Sequence, residues 1–341
     1  MKDYRDYSLL AHNTFGIDAR CSRFLEYESD DEAVQVAAIL RQTQQPFIII
    51  GGGSNLLLTK DFDGIVVRSG IKGITRQPLT INPEPLTLIT CSSGEVFDDV
   101  VAYCIDHGLY GMENLSLIPG DVGASAVQNI GAYGVEAKDF IRTIRAVEIA
   151  TGNICVIDRA DCDYAYRQSR FKHAWKNQYL ILSVDYALSP VFEPRLDYGN
   201  IRSELQQQGI SEPTARQLRD VIISIRNAKL PDPKVMGNAG SFFMNPIVPR
   251  AKYDELAAQY QGMPHYDVDA DHVKIPAGWM IDQCGWKGRS LGRAGVHDRQ
   301  ALVLVNRGGA TGSEIVALCE AIRNDVRTRF GIDIHPEVNI V

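Results

Sequence analysis

The sequence contains no uninterrupted apolar run near the roughly 18 residues that a membrane-spanning helix needs, and its opening, MKDYRDYSLLAHNTFG, has no apolar core of the kind a secretion signal carries. A soluble, cytoplasmic protein with no membrane partner is therefore expected. Cysteine is sparse and unpaired. Its seven thiols, at positions 21, 91, 104, 155, 162, 284 and 319, form no close pair and no metal-ligand spacing, so neither a disulfide framework nor a metal site is expected. Positive charge is short as well: 35 Lys and Arg against 42 Asp and Glu leave a net charge of −7, which speaks against a nucleic-acid partner. Any phosphate must then be gripped locally. With no export expected, the sequon Asn114-Leu115-Ser116 carries no meaning.

What is present is core-forming material, 45% apolar residues over 341 positions, more than one hydrophobic core usually fills. Ser29-x-x-Glu32 reads as a capping box before a helix with Ala33, Val36, Ala37 and Leu40 on one face. Phe47 to Ile50, Leu56 to Thr59 and Ile65 to Arg68 read as short strands around a glycine turn. Proline-rich residues 77–85 mark a boundary or hairpin, Leu86 to Thr90 a strand, and Phe97, Val100, Val101 and Cys104 a helix face ending at Gly108. Strands dominate residues 141–188. Thr214-x-x-Gln217 and Thr311-x-x-Glu314 open two further helices, and the tail from His335 reads as a final strand.

Three glycine-rich runs stand out. Gly51-Gly52-Gly53-Ser54-Asn55 follows a buried strand, and its successive amides suit an anion. It is not the dinucleotide fingerprint, because no helix follows and the G-x-G-x-x-G spacing is missing. Residues 119–134 set four glycines (120, 123, 131, 134) among small and amide side chains and read as an irregular segment lining a flat ligand, with Gln128 and Asn129 facing a heterocycle's polar edge. The third run, Gly237 to Pro246, presents Ser241 ahead of Phe242 and Phe243. A turn serine is the commoner fate of such a residue, and no neighbouring base marks it as a nucleophile.

Together with Asn13-Thr14-Phe15-Gly16, Tyr166-Arg167-x-Ser169, Lys229-Leu230-Pro231-Asp232-Pro233 and Pro336-Glu337-Val338, these runs resemble, in order and over nearly the whole chain, the UDP-N-acetylenolpyruvoylglucosamine reductases. The resemblance implies an α+β fold: a two-part FAD-binding region of the vanillyl-alcohol-oxidase (PCMH) type, at residues 1–70 and 71–213, and an α+β substrate-binding domain at 214–330. The tail, 331–341, would return to the second flavin part. It implies noncovalent FAD held by Gly51, Gly52, Gly53, Ser54 and Asn55 and by Pro119, Gly120, Gly123, Ala124, Gln128, Asn129, Gly131, Ala132, Tyr133 and Gly134, with NADPH as hydride donor and a UDP-sugar as substrate. Tyr198 resembles the mark of the subtype that closes a tyrosine loop. With Lys229, Asn245 and Gln300 it would bind the substrate, a lysine's compact charge suiting a diphosphate. Met244, Ala124 and Arg293 depart from the family's pattern.

The reaction so implied is reduction of the enolpyruvyl ether of UDP-N-acetylglucosamine, in cell-wall precursor synthesis. Arg167 would stabilise charge developing beside the carboxylate, Ser241 would deliver the proton, and Glu337 would steady that charge. The plain alternatives are a surface ion pair for Arg167 and a solvated carboxylate for Glu337. Two other functions fit the glycine runs: an FAD-dependent oxidase of the same superfamily, and a nucleotide-binding protein without redox chemistry. The oligomeric state is not encoded in any motif, and a monomer is compatible with the sequence.

Overall fold

The computed structural model describes residues 1–81 and 84–341. It divides into two compact units, each drawn from three stretches of chain: Met1–Tyr7, Cys21–Gly53 and Asp63–Ala228 in the first, Ser8–Arg20, Ser54–Phe62 and Lys229–Val341 in the second.

The first unit carries two sheets. A four-stranded sheet runs in the order Lys2–Ser8, Arg20–Tyr27, Phe62–Ser69, Phe47–Ile50, the last two strands parallel. A five-stranded antiparallel sheet runs Ile154–Asp158, Ile141–Glu148, Tyr179–Leu188, Glu84–Ser92, Ile74–Ile81. The turn expected near Asn82 and Pro83 lies outside the described residues, but its two arms pair antiparallel from Ile74↔Cys91 onward.

The helix Asp30–Gln42 buries Ala33, Val36, Ala37 and Leu40 in one cluster with Leu25, Tyr27, Ile65 and Val67 of the first sheet and Val147 and Leu180 of the second. Each fully buried aliphatic side chain of this kind contributes about 1.5–3 kcal/mol, so this seam holds the two sheets together. Its capping box forms by half: the Ser29 hydroxyl accepts from the Glu32 amide, whereas the Glu32 carboxylate turns to the Glu28 amide. The helix Ala215–Lys229 turns Leu218, Val221, Ile222 and Ile225 onto Ile201 and Leu205. At its start the Thr214 hydroxyl and Gln217 carboxamide satisfy each other's backbone amides.

Residues 119–134 differ from the irregular segment expected. They hold a helix, Val122–Gln128, and a small hairpin of Gly131–Ala132 with Val135–Glu136. Ala124 and Ala126 lose little entropy in a helix, and Asn129 ends it in the left-handed conformation at φ 45°. Four small residues in succession, Gly123 to Ala126, hide such a helix from periodicity.

The second unit pairs Asn238–Ser241, Val303–Asn306, Ala294–Val296 and Ser290–Leu291 in one sheet, and Ile247–Pro249, His272–Lys274 and Tyr266–Asp267 in another. The helix Gly312–Phe330 has the full expected box between Thr311 and Glu314 and stops at Gly331. Its first glycine is indispensable, since a Cβ on Gly312 would fall 1.9 Å from the Leu58 carbonyl oxygen. The tail Asn339–Ile340 adds in parallel to Leu56–Leu57, and the Thr59 amide and hydroxyl both donate to the Val341 carbonyl.

Candidate functional site

In the first unit the two glycine runs meet. A Cβ on Gly51 would lie 3.0 Å from that of Ala124, and one on Gly52 would lie 3.2 Å from both Gly120 Cα and Asp121 Oδ1. Backbone thus packs on backbone, and the departure to alanine at 124 fills the very space a side chain at 51 would need. Below this contact lies a charged group that the sequence reading missed: Arg68 bonds Glu26 at 3.0 Å and Asp121 at 3.2 Å. Burial works upward on Glu26, but Lys2 and Arg68 hold it below its ordinary value. Burial prevails over Arg68 at Asp121 and raises it.

Not every residue in these runs is free for a ligand. The amides of Val122 and Gly123 donate to the Glu95 and Ser93 carbonyls, so Gly123 serves close approach to Ser93 rather than an anion. Asn129 is fully buried, and its carboxamide is spent: Nδ2 donates to the Ala165 carbonyl and Glu136, and Oδ1 accepts from the Lys138 amide. Its side chain thus has partners within the protein itself. Gln128 is the opposite case, buried with Nε2 lacking any protein partner among the described residues.

Arg167 sits at φ 56°, a conformation that costs a non-glycine residue about 1–3 kcal/mol. Its guanidinium donates to the Asn129 and Gly131 carbonyls and lies 5.3 Å from the Tyr166 ring centroid. Gly131 is required there, because a Cβ would come within 2.7 Å of the Val135 carbonyl oxygen and 2.8 Å of the Arg167 Nη1. On the following hairpin turn Tyr133 meets Tyr198 edge to face at 6.3 Å, and Gly134 lies against the Tyr198 ring. Tyr133 has its phenol raised by burial, with Arg226 pulling the other way. Arg226 itself, lowered by burial, keeps a sealed Nε without a hydrogen bond among the described residues. Sequence reading missed it too; its one signal is a charge directly after Ile225 on a buried helix face.

Ala132 lies in the same hairpin and Pro119 just ahead of Gly120. The sequon asparagine is structural: Asn114 is buried and donates to the Tyr133 and Arg195 carbonyls.

The second unit gathers the other expected residues. Ser241 is exposed at the end of its strand, followed by the buried pair Phe242 and Phe243. The Glu337 amide donates to the Phe242 carbonyl at 2.8 Å, so the tail carries its carboxylate to the chain segment of Ser241. Asn55 holds that tail, its Nδ2 donating to the Glu337 carbonyl and its own carbonyl accepting from the Asn339 amide. Ser54 and Asn55 therefore belong to this unit, apart from Gly51, Gly52 and Gly53.

Asn245 Oδ1 accepts from the Ala277 amide, and Gln300 lies where a Cβ on Gly278 would reach within 3.2 Å, so both flank the start of the helix Ala277–Gln283. Lys229 is exposed. Met244 donates its amide to the His335 carbonyl, and Arg293 donates to the Gly309 carbonyl. A cavity of about 450 Å³ lies near Phe15, Pro233, Lys234, Met236 and Asn306 and includes none of the expected site residues.

Among the described residues no cluster of three metal-ligating side chains occurs, and no helix is long and apolar enough to cross a membrane. A flavin fits the first unit: two glycine runs close enough for backbone to pack on backbone, and beside them a buried carboxamide donor, Gln128 Nε2, without a protein partner among the described residues.

Two family descriptions match the chain, "FAD binding domain" at residues 22–158 and "UDP-N-acetylenolpyruvoylglucosamine reductase, C-terminal domain" at residues 232–341. Among curated relatives, a UDP-N-acetylenolpyruvoylglucosamine reductase of Bacteroides fragilis is 53% identical over 98% of this chain and 99% of its own length. One of Burkholderia multivorans is 46% identical over 97% and 95%. The crystal structure of the Thermus caldophilus UDP-N-acetylenolpyruvylglucosamine reductase shares the fold, with a TM-score of 0.66 at 19% identity over 99% of this chain and 98% of that one.

Proposed function

The chain belongs to the UDP-N-acetylenolpyruvoylglucosamine reductase family, and from that premise we propose how its residues divide the reaction. It is an FAD-containing oxidoreductase that reduces UDP-N-acetylenolpyruvoylglucosamine in peptidoglycan precursor synthesis. FAD, when bound, supplies hydride transfer from NADPH to the enolpyruvyl double bond.

The glycines at 51–53, with Gly120, Ala124 and Gly131, hold that cofactor noncovalently by close backbone approach, and Gln128 offers it the unpartnered Nε2. Arg167 takes the negative charge that builds beside the substrate carboxylate. Its fork is set in advance by two carbonyls and its backbone conformation, so little reorganisation is needed when the charge appears. Ser241 gives its hydroxyl proton to the carbon next to the one that receives hydride and regains a proton from solvent. Glu337 steadies the same charge. Lys229 and Tyr198 bind the diphosphate, with Asn245 and Gln300 beside it, in the tyrosine-loop manner. The domain division proposed by function is 1–70 and 71–213 for FAD and 214–330 for substrate, in a cytoplasmic protein, although residues 8–20 and 54–62 pack with the C-terminal unit and 214–228 with the first.

The observation that carries this reading is the Glu337-to-Phe242 hydrogen bond, which brings a carboxylate from the far C-terminus to the segment of an exposed serine. Anaerobic mixing of the NADPH-reduced protein with the enolpyruvyl nucleotide tests it. Flavin absorbance should return with that nucleotide and stay bleached with its saturated lactyl counterpart; no return with either overturns the reading.

A further inference from the structure

Ser241 does not stand on a regular strand. Asn238 pairs with Val305 and Ser241 with Val303, so three residue steps on one strand oppose two on the other. The extra residue is absorbed at Gly240, at φ 68°. This is a bulge, and bulges re-aim side chains. Because strand side chains alternate in direction, flattening it would send Ser241 to the opposite face and displace the buried Phe242 that follows.

One side chain holds this bulge. Asn238 is 5% exposed, and its Oδ1 accepts from the Gly240 amide at 2.9 Å, closing a turn on the residue two positions ahead. Its Nδ2 donates to the Met236 carbonyl at 2.9 Å and the Pro231 carbonyl at 3.2 Å. Its backbone is clamped as well: the amide donates to the Thr14 carbonyl at 3.0 Å, and its carbonyl accepts from the Thr14 hydroxyl at 2.6 Å. All of its hydrogen-bonding groups are thus used within three residues of Ser241. A Cβ at Gly240 would meet nothing within 4 Å, so the requirement there is conformational rather than steric.

We propose that Asn238 is a positioning residue for Ser241: by fixing the bulge at Gly240 it aims the hydroxyl that delivers the proton. The proposal rests on the reading of Ser241 as proton donor.

The test is the half-reactions of Asn238→Ala and Asn238→Ser, each alone and combined with Ser241→Ala. Asn238→Ala should slow reoxidation of the reduced protein by the enolpyruvyl nucleotide by roughly 10 to 10²-fold, the usual effect of misplacing a reacting group by about 1 Å, while NADPH-driven reduction stays near wild type. Asn238→Ser should recover part of the rate, because a serine hydroxyl can accept from the amide two residues on. It also keeps the test open if the alanine variant does not fold. In the Ser241→Ala background neither change should slow reoxidation further, since a residue acting through Ser241 has nothing left to aim. Full additivity there, or unaltered reoxidation in folded single variants, overturns the role of Asn238. Unaltered reoxidation in Ser241→Ala alone overturns instead the reading of Ser241.

Discussion

The two units support their irregular backbone by different chemistry. Under the glycine run at 51–53 lies charge, Glu26 and Asp121 sharing Arg68. Around the strand that ends in Ser241 lie neutral carboxamides. Asn13 bonds Leu9 and Ile17, Asn238 closes the bulge, and Asn306 takes the Phe15 carbonyl on Nδ2 and the Gly308 and Ala310 amides on Oδ1. A charged support titrates and responds to nearby charge; a carboxamide does neither. The contrast suits the proposed division of labour, an anionic cofactor held by one unit and a hydroxyl proton delivered from the other.

Removing the cation of the charged support should have the largest effect on stability. Arg68→Gln leaves two buried carboxylates without their shared partner, a change that costs about 3–5 kcal/mol. The sign with pH follows from the shifts. Glu26, held low, contributes stability above its unfolded pKa that is lost as pH falls through its folded value; Asp121, held high, contributes below its unfolded pKa and loses it as pH rises. Without Arg68 both carboxyls move up, so the deficit should be greatest at neutral pH and shrink in acid. Denaturant midpoints measured across pH check this, and a deficit independent of pH would dissolve the contrast.

If the second unit directs charge outward to its ligand, Lys229→Ala should leave stability unchanged and weaken the enolpyruvyl nucleotide by about 1.5–3 kcal/mol, or roughly 10- to 150-fold in Kd by titration. Equal weakening of NADPH would mean that the lysine serves both diphosphates. The neutral clamp should lose stability without a pH signature. Asn306→Ala strands one carbonyl and two amides, each costing about 1–3 kcal/mol while it stays dry, and its denaturant midpoint should fall by the same amount at every pH. A pH-dependent loss would place a hidden charge there.

The sequence made the helices legible where their ends are chemical. Thr311 with Glu314 and Thr214 with Gln217 form the reciprocal boxes read from spacing alone. It made the glycine runs legible as close-approach points, but not their mutual contact. Nor did it show that residues 8–20 and 54–62 join the C-terminal unit, because bonds such as Thr14 to Asn238 span 224 positions and leave no local period. The helix Val122–Gln128 stayed hidden because its residues are small. The protein partners of Asn129 were not legible either, because an amide's type is visible in sequence and its partners are not.

The most direct measurement is single-turnover kinetics of Ser241→Ala, which removes the proposed proton and leaves the packed glycines of the first unit untouched. Reduction by NADPH should stay close to wild type, while anaerobic reoxidation by the enolpyruvyl nucleotide should slow by about 10² to 10⁴-fold, the usual worth of a positioned general acid. Cysteine at the same position should restore part of the rate. Reoxidation of the alanine variant at the wild-type rate would contradict the account, leaving Ser241 a turn residue at the end of a bulged strand.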